Sequence, residues 1–171
     1  LVNAGTYVLE PSVLERIEAG RKVSVEREVF PAMVADGALF AQPDDDAYWV
    51  DTGTPVQYLG AMLDIVEGRR PALGQPVPPA VDLRASVAPD AVVDGAVVMA
   101  GATIGAGATV ARCAVLPGAE IGAGAVVDGS VVGPGAVVGA GARVVGGSVL
   151  GDGVVVPAGD VVDGRRVPEP A

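Results

Sequence analysis

The sequence predicts a chain in two parts: a mixed α and β segment through residue 67, and a parallel β-helix over residues 81–164. Two observations support this division. The composition changes near residue 68, where a Pro-rich and therefore stiff linker covers residues 68–80. Beyond the linker, Val or Ile recurs in three columns of a 17-residue repeat. Residues 165–171 are assigned to a short tail.

The first part contains three segments with strand-like composition, residues 2–9, 38–42 and 47–50. Between them, Pro11 stands at an early helical position and indicates a helix through Ile17. These segments together predict a partial α/β domain.

Two further helices are expected in the same part. Ser24 is the predicted N-cap of one that ends at Gly37, although Pro31 indicates a later start. Thr54 is the predicted N-cap of the other, which ends before Gly68.

The repeat is counted in consecutive blocks of 17 residues, the first of them residues 94–110. In each block the fifth, eleventh and last positions are β-branched. Extending the frame backward to residues 77–93 keeps the pattern. The columns are Val81, Val98, Val115, Val132 and Val149; Val87, Ile104, Ile121, Val138 and Val155; and Val93, Val110, Val127, Val144 and Val161.

Three branched residues spaced six, six and five apart describe one triangular coil of three short strands. Stacked coils would share a continuous core that a single coil cannot bury. Disorder, the alternative for a chain so rich in Gly and Ala, would not keep these residues in phase. An α-helix is excluded because Gly and Val are poor helix formers.

Runs such as Ile104-Gly105-Ala106-Gly107-Ala108-Thr109 resemble the hexapeptide repeat of left-handed β-helix proteins. The resemblance implies the left hand, which periodicity alone does not give. Many hexapeptide proteins are acyltransferases that use a histidine as general base. This chain has no histidine, so an acyltransferase is disfavoured and the repeat is interpreted as a scaffold or assembly domain.

The net charge of −10 argues against nucleic acid and anionic membranes as partners.

Cys113 is the single cysteine, which excludes an intrachain disulfide and fits a cytoplasmic protein. It lies in a column of small residues, with Ala96, Ser130 and Gly147, which favours packing over catalysis. Because the chain begins in an apolar run at Leu1, we expect it to be a fragment.

Asp51 is the most informative acidic residue. In the run at residues 48–55 it is expected where a strand ends and a helix begins, an edge at which α/β sheets bind ligands. A carboxylate beside a phosphate needs a cation such as Mg²⁺. Ordinary turn and capping chemistry explains the same pattern, and on spacing alone it is the favoured interpretation.

Residues 3–8, 24–31 and 48–55 together resemble the second half of the catalytic domain of sugar-1-phosphate nucleotidyltransferases, most closely the mannose-1-phosphate guanylyltransferase branch. The resemblance implies that Asp51 is a metal-binding aspartate that holds Mg²⁺. It implies that Asn3 hydrogen-bonds the sugar, with Gly5 where backbone approaches the ligand. Glu26 is expected to brace or contact the sugar, or else to be a solvated glutamate at a helix start.

The resemblance further implies an enzyme that makes an NDP-sugar, GDP-mannose in first place, and pyrophosphate from a sugar 1-phosphate and an NTP, with GTP favoured. The family's Gly-rich nucleotide loop and first metal aspartate are not in these residues, so the chain alone is expected to be inactive. One alternative is a non-catalytic regulatory or assembly subunit. A glucose-1-phosphate nucleotidyltransferase is another. In each case the β-helix is expected to mediate a homo-oligomer.

Overall fold

The computed structural model describes residues 3–70 and 79–169. The chain divides into two compact units, Leu1–Trp49 and Val50–Ala171. Most of the expected Pro-rich linker, residues 71–78, lies outside the described residues.

The described part of the first unit, residues 3–49, contains three short helical segments. A 3₁₀ helix spans Pro11–Arg16, a π-helical turn spans Val25–Val29, and helix α1 spans Phe30–Ala35. The 3₁₀ helix begins at Pro11 because the missing N–H of a proline costs no hydrogen bond at a helix start. The predicted first helix is therefore confirmed in place, with 3₁₀ rather than α geometry.

The second predicted helix does begin at Ser24, whose Oγ accepts a hydrogen bond from the Arg27 backbone N–H at 3.3 Å. Its first turn is wider than an α-helix, since the Phe30 N–H donates to the Val25 carbonyl. Pro31 has no N–H to donate to the fourth residue before it, so a regular α-helical ladder cannot run through this turn.

The three predicted strands of the first part are wrong for every residue that the structure describes, since no strand lies within residues 3–70. A strand is stable only beside a partner strand, and residues 3–70 offer none. Leu39, in the segment at residues 38–42, instead packs against the small core of Val13, Val29, Phe30 and Met33. Leu39 therefore serves packing and not pairing, whereas Phe40 is 89% exposed.

The second unit opens with helix α2, Pro55–Val66, as predicted. Thr54 caps it, because its side chain accepts a hydrogen bond from the Gln57 backbone N–H at 3.3 Å. Gly68 follows the helix with φ of +72°.

A parallel β-helix follows, in which, within residues 79–169, fifteen short strands form three five-stranded sheets. In chain order the strands are β1 (Ser86–Val87), β2 (Val92–Asp94), β3 (Val97–Val98), β4 (Thr103–Ile104), β5 (Thr109–Ala111), β6 (Ala114–Val115), β7 (Glu120–Ile121), β8 (Val126–Asp128), β9 (Val131–Val132), β10 (Val137–Val138), β11 (Arg143–Val145), β12 (Val149–Leu150), β13 (Val155–Val156), β14 (Val161–Asp163) and β15 (Arg166–Val167).

Each sheet takes every third strand, so successive coils stack in register. Face 1 is β1-β4-β7-β10-β13, face 2 is β2-β5-β8-β11-β14, and face 3 is β3-β6-β9-β12-β15. All pairs are parallel, as in Val110 opposite Val127 and Val115 opposite Val132. The predicted β-helix is confirmed.

The predicted inward columns are confirmed up to Val144. The last residue predicted for each column, Val149, Val155 or Val161, is wrong. The buried residues there are Leu150, Val156 and Val162, whereas Val155 and Val161 are 66% and 57% exposed. Pairing agrees, since Val132 lies opposite Leu150 and Val144 opposite Val162. The spacing from one inward residue to the next is thus one residue longer at this corner than at the equivalent corners.

The extra residue lies in the corner Val145-Gly146-Gly147-Ser148. The equivalent corner one coil earlier, Asp128-Gly129-Ser130, has a single left-handed residue, Gly129. Here Gly146 and Gly147 both have positive φ, +68° and +78°. Glycine adopts this region without a Cβ penalty, which lets the corner accommodate one more residue.

Helix α2 packs on the outer side of face 3. Met62 is buried against Val97 and Ala114, with Leu59 and Leu63 at the edge of the contact. The outward side chains of β3 and β6 are therefore apolar, while faces 1 and 2 carry residues such as Glu120 and Arg143 at equivalent positions. The helix closes one side of the β-helix.

Candidate functional site

A cluster of polar side chains joins two segments of the first unit. The Tyr7 hydroxyl donates a hydrogen bond to Glu26 Oε1 at 2.6 Å. Asn3 Nδ2 donates to the Tyr7 hydroxyl at 2.8 Å and to Glu26 Oε1 at 3.3 Å. All three residues are exposed, so the cluster is open to a ligand.

Asn3 is held in place by its own backbone. Its Oδ1 accepts a hydrogen bond from the Gly5 backbone N–H at 2.9 Å, a local turn that asparagine forms readily. Gly5 has φ of +72° and open space around its Cα. The Trp49 indole N–H also donates to the Ala4 carbonyl at 3.3 Å, which ties this turn to the end of the unit.

The aromatic ring of Tyr7 is anchored on the core of the unit. It meets the Phe30 ring edge to face, with centroids 4.8 Å apart and an angle of 73° between the planes. The hydrogen bond to the Glu26 carboxylate raises the pKa of the Tyr7 phenol above its ordinary value, an effect that the bond from Asn3 partly offsets. The hydroxyl therefore keeps its proton at neutral pH and remains a donor.

Three of the four predicted site residues thus lie together: Asn3, Gly5 and Glu26. Tyr7, the residue that links them, is not among the residues that the sequence predicts for the site. Its position four residues after Asn3 gives no reason to expect a bond to Glu26, which lies 19 residues farther on.

The fourth predicted residue, Asp51, belongs to the second unit. It is exposed and precedes helix α2, with Oδ1 accepting a hydrogen bond from the Gly53 backbone N–H at 2.9 Å. That bond is the turn chemistry considered above, and it leaves the other carboxylate oxygen for a cation. Within residues 3–70 and 79–169 no group of three Asp, Glu, Cys or His side chains could hold a metal ion by itself.

The acidic corner residues of the β-helix form no catalytic pair. Asp128 accepts two bonds from Arg112, at 2.5 and 2.6 Å. Asp94 and Asp152 are exposed. Asp82 is paired with Arg84, whose guanidinium is the main cause that lowers the pKa of Asp82 to about 2. These carboxylates are therefore structural ion pairs or solvated groups.

Cys113 is fully buried inside the β-helix. Its column neighbours are Ala96 and Ser130, followed by Ser148 and not Gly147, since the extra residue shifts the column. Burial is the largest cause that raises the pKa of the Cys113 thiol, to about 12, and the Asp128 charge adds to it. The structure thus supports a packing role for this cysteine.

We expect Cys113 to resist thiol reagents in the folded chain at pH 8, because a pKa of about 12 leaves roughly one thiolate in ten thousand. Ellman's reagent should react only after denaturation, and a Cys113→Ala variant should not react at all. The unfolded thiol loses its proton above its ordinary pKa of 9.0 while the folded thiol keeps it. The free energy of unfolding should therefore fall as pH rises above about 9. Rapid modification of the native chain would contradict the burial of Cys113.

In the part of the chain that the structure describes, no helix is long and apolar enough to cross a membrane.

Two family models match the chain. Residues 1–68 match the model described as nucleotidyl transferase, and residues 77–170 match the model described as GMPPB C-terminal domain. The boundary between the two matches lies in the Pro-rich segment.

Curated relatives match over parts of their length. A mannose-1-phosphate guanylyltransferase of Mycobacterium tuberculosis is 42% identical over 112 residues, which cover 65% of this chain and 29% of the relative. A mannose-1-phosphate guanyltransferase of Schizosaccharomyces pombe is 53% identical over 58 residues, 34% of this chain and 15% of that protein. The chain thus spans less than a third of either relative.

Among solved structures, the acetyltransferase domain of PglB from Neisseria gonorrhoeae aligns with 68% of this chain and 70% of that domain. The TM-score is 0.44 and the identity 23%. A likeness this loose supports no inference about function.

Proposed function

Because the chain belongs to the GMPPB C-terminal domain family, we propose that it is the C-terminal part of a sugar-1-phosphate nucleotidyltransferase. The proposed reaction joins mannose 1-phosphate to GTP, giving GDP-mannose and pyrophosphate. The observation that carries the proposal is the order of the two matched models, nucleotidyl transferase and then the β-helix domain. The relatives that share the sequence carry matching names.

The polar cluster of the first unit supports a role on the sugar side of the reaction. A carboxylate accepts hydrogen bonds from sugar hydroxyls, and Glu26 presents one on an exposed surface. Asn3 and Gly5 form the adjoining turn, in which backbone can approach a ligand closely. Positioning of this kind contributes to catalysis by holding the sugar phosphate near the nucleotide.

In the proposed reaction a phosphate oxygen of the sugar 1-phosphate attacks the α-phosphorus of the NTP. The bond from that phosphorus to the bridging oxygen breaks, and pyrophosphate leaves with the electron pair. Mg²⁺, when bound, neutralises charge on the phosphates. Asp51 suits such a site, since its carboxylate is exposed and has an oxygen beyond the one that Gly53 occupies. A single carboxylate plus phosphate oxygens is a common way for proteins to hold Mg²⁺.

For the β-helix we propose assembly of copies of the enzyme into a homo-oligomer. Asp128 is paired with Arg112 and Cys113 is buried, so neither side chain is available as a general base. The absence of histidine from the sequence disfavours an acyltransferase. A cytoplasmic location completes the proposal and fits a chain with one cysteine.

The proposal is tested by assaying the full-length protein that contains this chain, with Mg²⁺, four nucleoside triphosphates and either mannose 1-phosphate or glucose 1-phosphate. We expect pyrophosphate release to be fastest with GTP and mannose 1-phosphate. The 171-residue chain alone, run in parallel, should give no turnover, because the nucleotide loop lies outside it. No turnover by the full-length protein with any pair would favour the non-catalytic subunit. Robust turnover by the isolated chain would contradict the proposal that it is only the C-terminal part of the enzyme.

A further inference from the structure

We propose that Tyr7 is a positioning residue for Glu26, holding its carboxylate so that Oε2 accepts a hydroxyl of the sugar 1-phosphate. This inference rests on the proposed function, since the sugar phosphate is the ligand of that reaction. It assigns to Tyr7 a role in sugar binding exerted through Glu26 and not by contact with the sugar.

The hydrogen bonds of the cluster all converge on one carboxylate oxygen. Tyr7 and Asn3 both donate to Glu26 Oε1, at 2.6 and 3.3 Å. Within residues 3–49 no group hydrogen-bonds Oε2. The carboxylate is therefore oriented by one oxygen and can receive a ligand hydroxyl at the other.

An exposed glutamate without such bonds would sample several rotamers and would lose that freedom on binding. Tyr7 reduces this cost because its ring is itself fixed. The ring rests against Phe30, which is buried in the core of the first unit. Because the ring is held by the core, its hydroxyl has a fixed position and orients the Glu26 carboxylate on the surface.

The protonation of Tyr7 suits this role. Glu26 raises the pKa of the phenol, so the hydroxyl donates throughout the neutral range. Asn3 completes the arrangement, since its Oδ1 is occupied by the Gly5 N–H and its Nδ2 faces both partners. The donors around Oε1 are therefore fixed, and Oε2 of Glu26 remains available to the ligand.

The kinetic test is Tyr7→Phe in the full-length enzyme, a change that keeps the ring and its contact with Phe30. We expect the KM for the sugar 1-phosphate to rise about tenfold, on the scale of one hydrogen bond to a charged group. Both kcat and the KM for the NTP should stay within about twofold, because the lost interaction is ground-state binding of one substrate. Tyr58→Phe removes a phenol hydroxyl from helix α2 and should leave all three constants unchanged.

A spectroscopic test on the 171-residue chain checks the bond itself. The Tyr7 ring resonance, assigned by its loss in Tyr7→Phe, should titrate at a lower pH in Glu26→Gln than in the unaltered chain. Identical titration curves would overturn the inference, as would an active enzyme in which Tyr7→Phe leaves the sugar KM unchanged or lowers kcat alone. If the unaltered full-length protein makes no sugar nucleotide, the proposed function fails and the inference fails with it.

Discussion

Deleting Gly147 should leave the β-helix folded, whereas deleting Gly129 should destabilise it severely. Both variants lose one corner glycine with positive φ. Without Gly147, the corner after Val144 becomes Val145-Gly146-Ser148, which has the length of Asp128-Gly129-Ser130. The inward residues Leu150, Val156 and Val162 would stay in phase.

Without Gly129, the corner after Val127 is one residue too short. If the inward residues keep their places, the corner must close without a left-handed residue. If the corner instead takes its next residue, Val132, Val138 and Val144 turn outward. At about 1.5–3 kcal/mol for each buried side chain, the loss is comparable to the whole stability of a typical domain, about 5–15 kcal/mol.

Thermal melting followed by circular dichroism distinguishes the two deletions. The Gly147 deletion should melt within a few degrees of the unaltered chain, on the scale of about 1 kcal/mol. The Gly129 deletion should melt far lower or fail to fold. Equal melting temperatures for the two variants would show that the coils do not share one frame.

Asp51→Asn in the full-length enzyme should reduce turnover by at least ~100-fold, on the scale of other electrostatic catalytic groups. The substitution removes a charge that a metal ion needs and keeps the shape of the side chain. Asn can still accept the hydrogen bond from the Gly53 N–H, so the turn before helix α2 should persist.

Asp45→Asn is the matched control, because Asp45 is an exposed residue of the acidic run at residues 44–46. It loses the same charge and should retain full turnover. Rates are measured at saturating Mg²⁺, and the melting temperature is measured beside them. Near-normal turnover of Asp51→Asn would return Asp51 to the status of a turn residue.

The β-helix could be predicted in detail because its physical signal is periodic. Three β-branched columns fix both the coil and its inward face, as Val115, Ile121 and Val127 show. The frame failed only after Val144, where both candidates at each position are apolar: Val149 or Leu150, Val155 or Val156, Val161 or Val162. The sequence offers the same kind of residue in either frame. Only the hydrogen-bonded register of the strands shows which of the two residues points inward.

The first unit was predicted less well for a different reason. Local capping rules located the helical segments, since Ser24 and Pro11 act through neighbours in sequence. The strands could not be located by such rules, because a strand depends on a distant partner. The bond from Tyr7 to Glu26 is likewise a tertiary contact, so the sequence indicated Glu26 without the residue that holds it.

The central claim, nucleotidyl transfer to a sugar 1-phosphate, is tested most directly by following the phosphorus atoms of GTP. The full-length protein is incubated with Mg²⁺, mannose 1-phosphate and GTP labelled at either the α- or the γ-phosphate. We expect the α label in a sugar nucleotide that comigrates with GDP-mannose, and the γ label in an equal amount of pyrophosphate. An α label confined to GTP, GDP or GMP, or a γ label recovered as inorganic phosphate when pyrophosphatase is excluded, would contradict the claim.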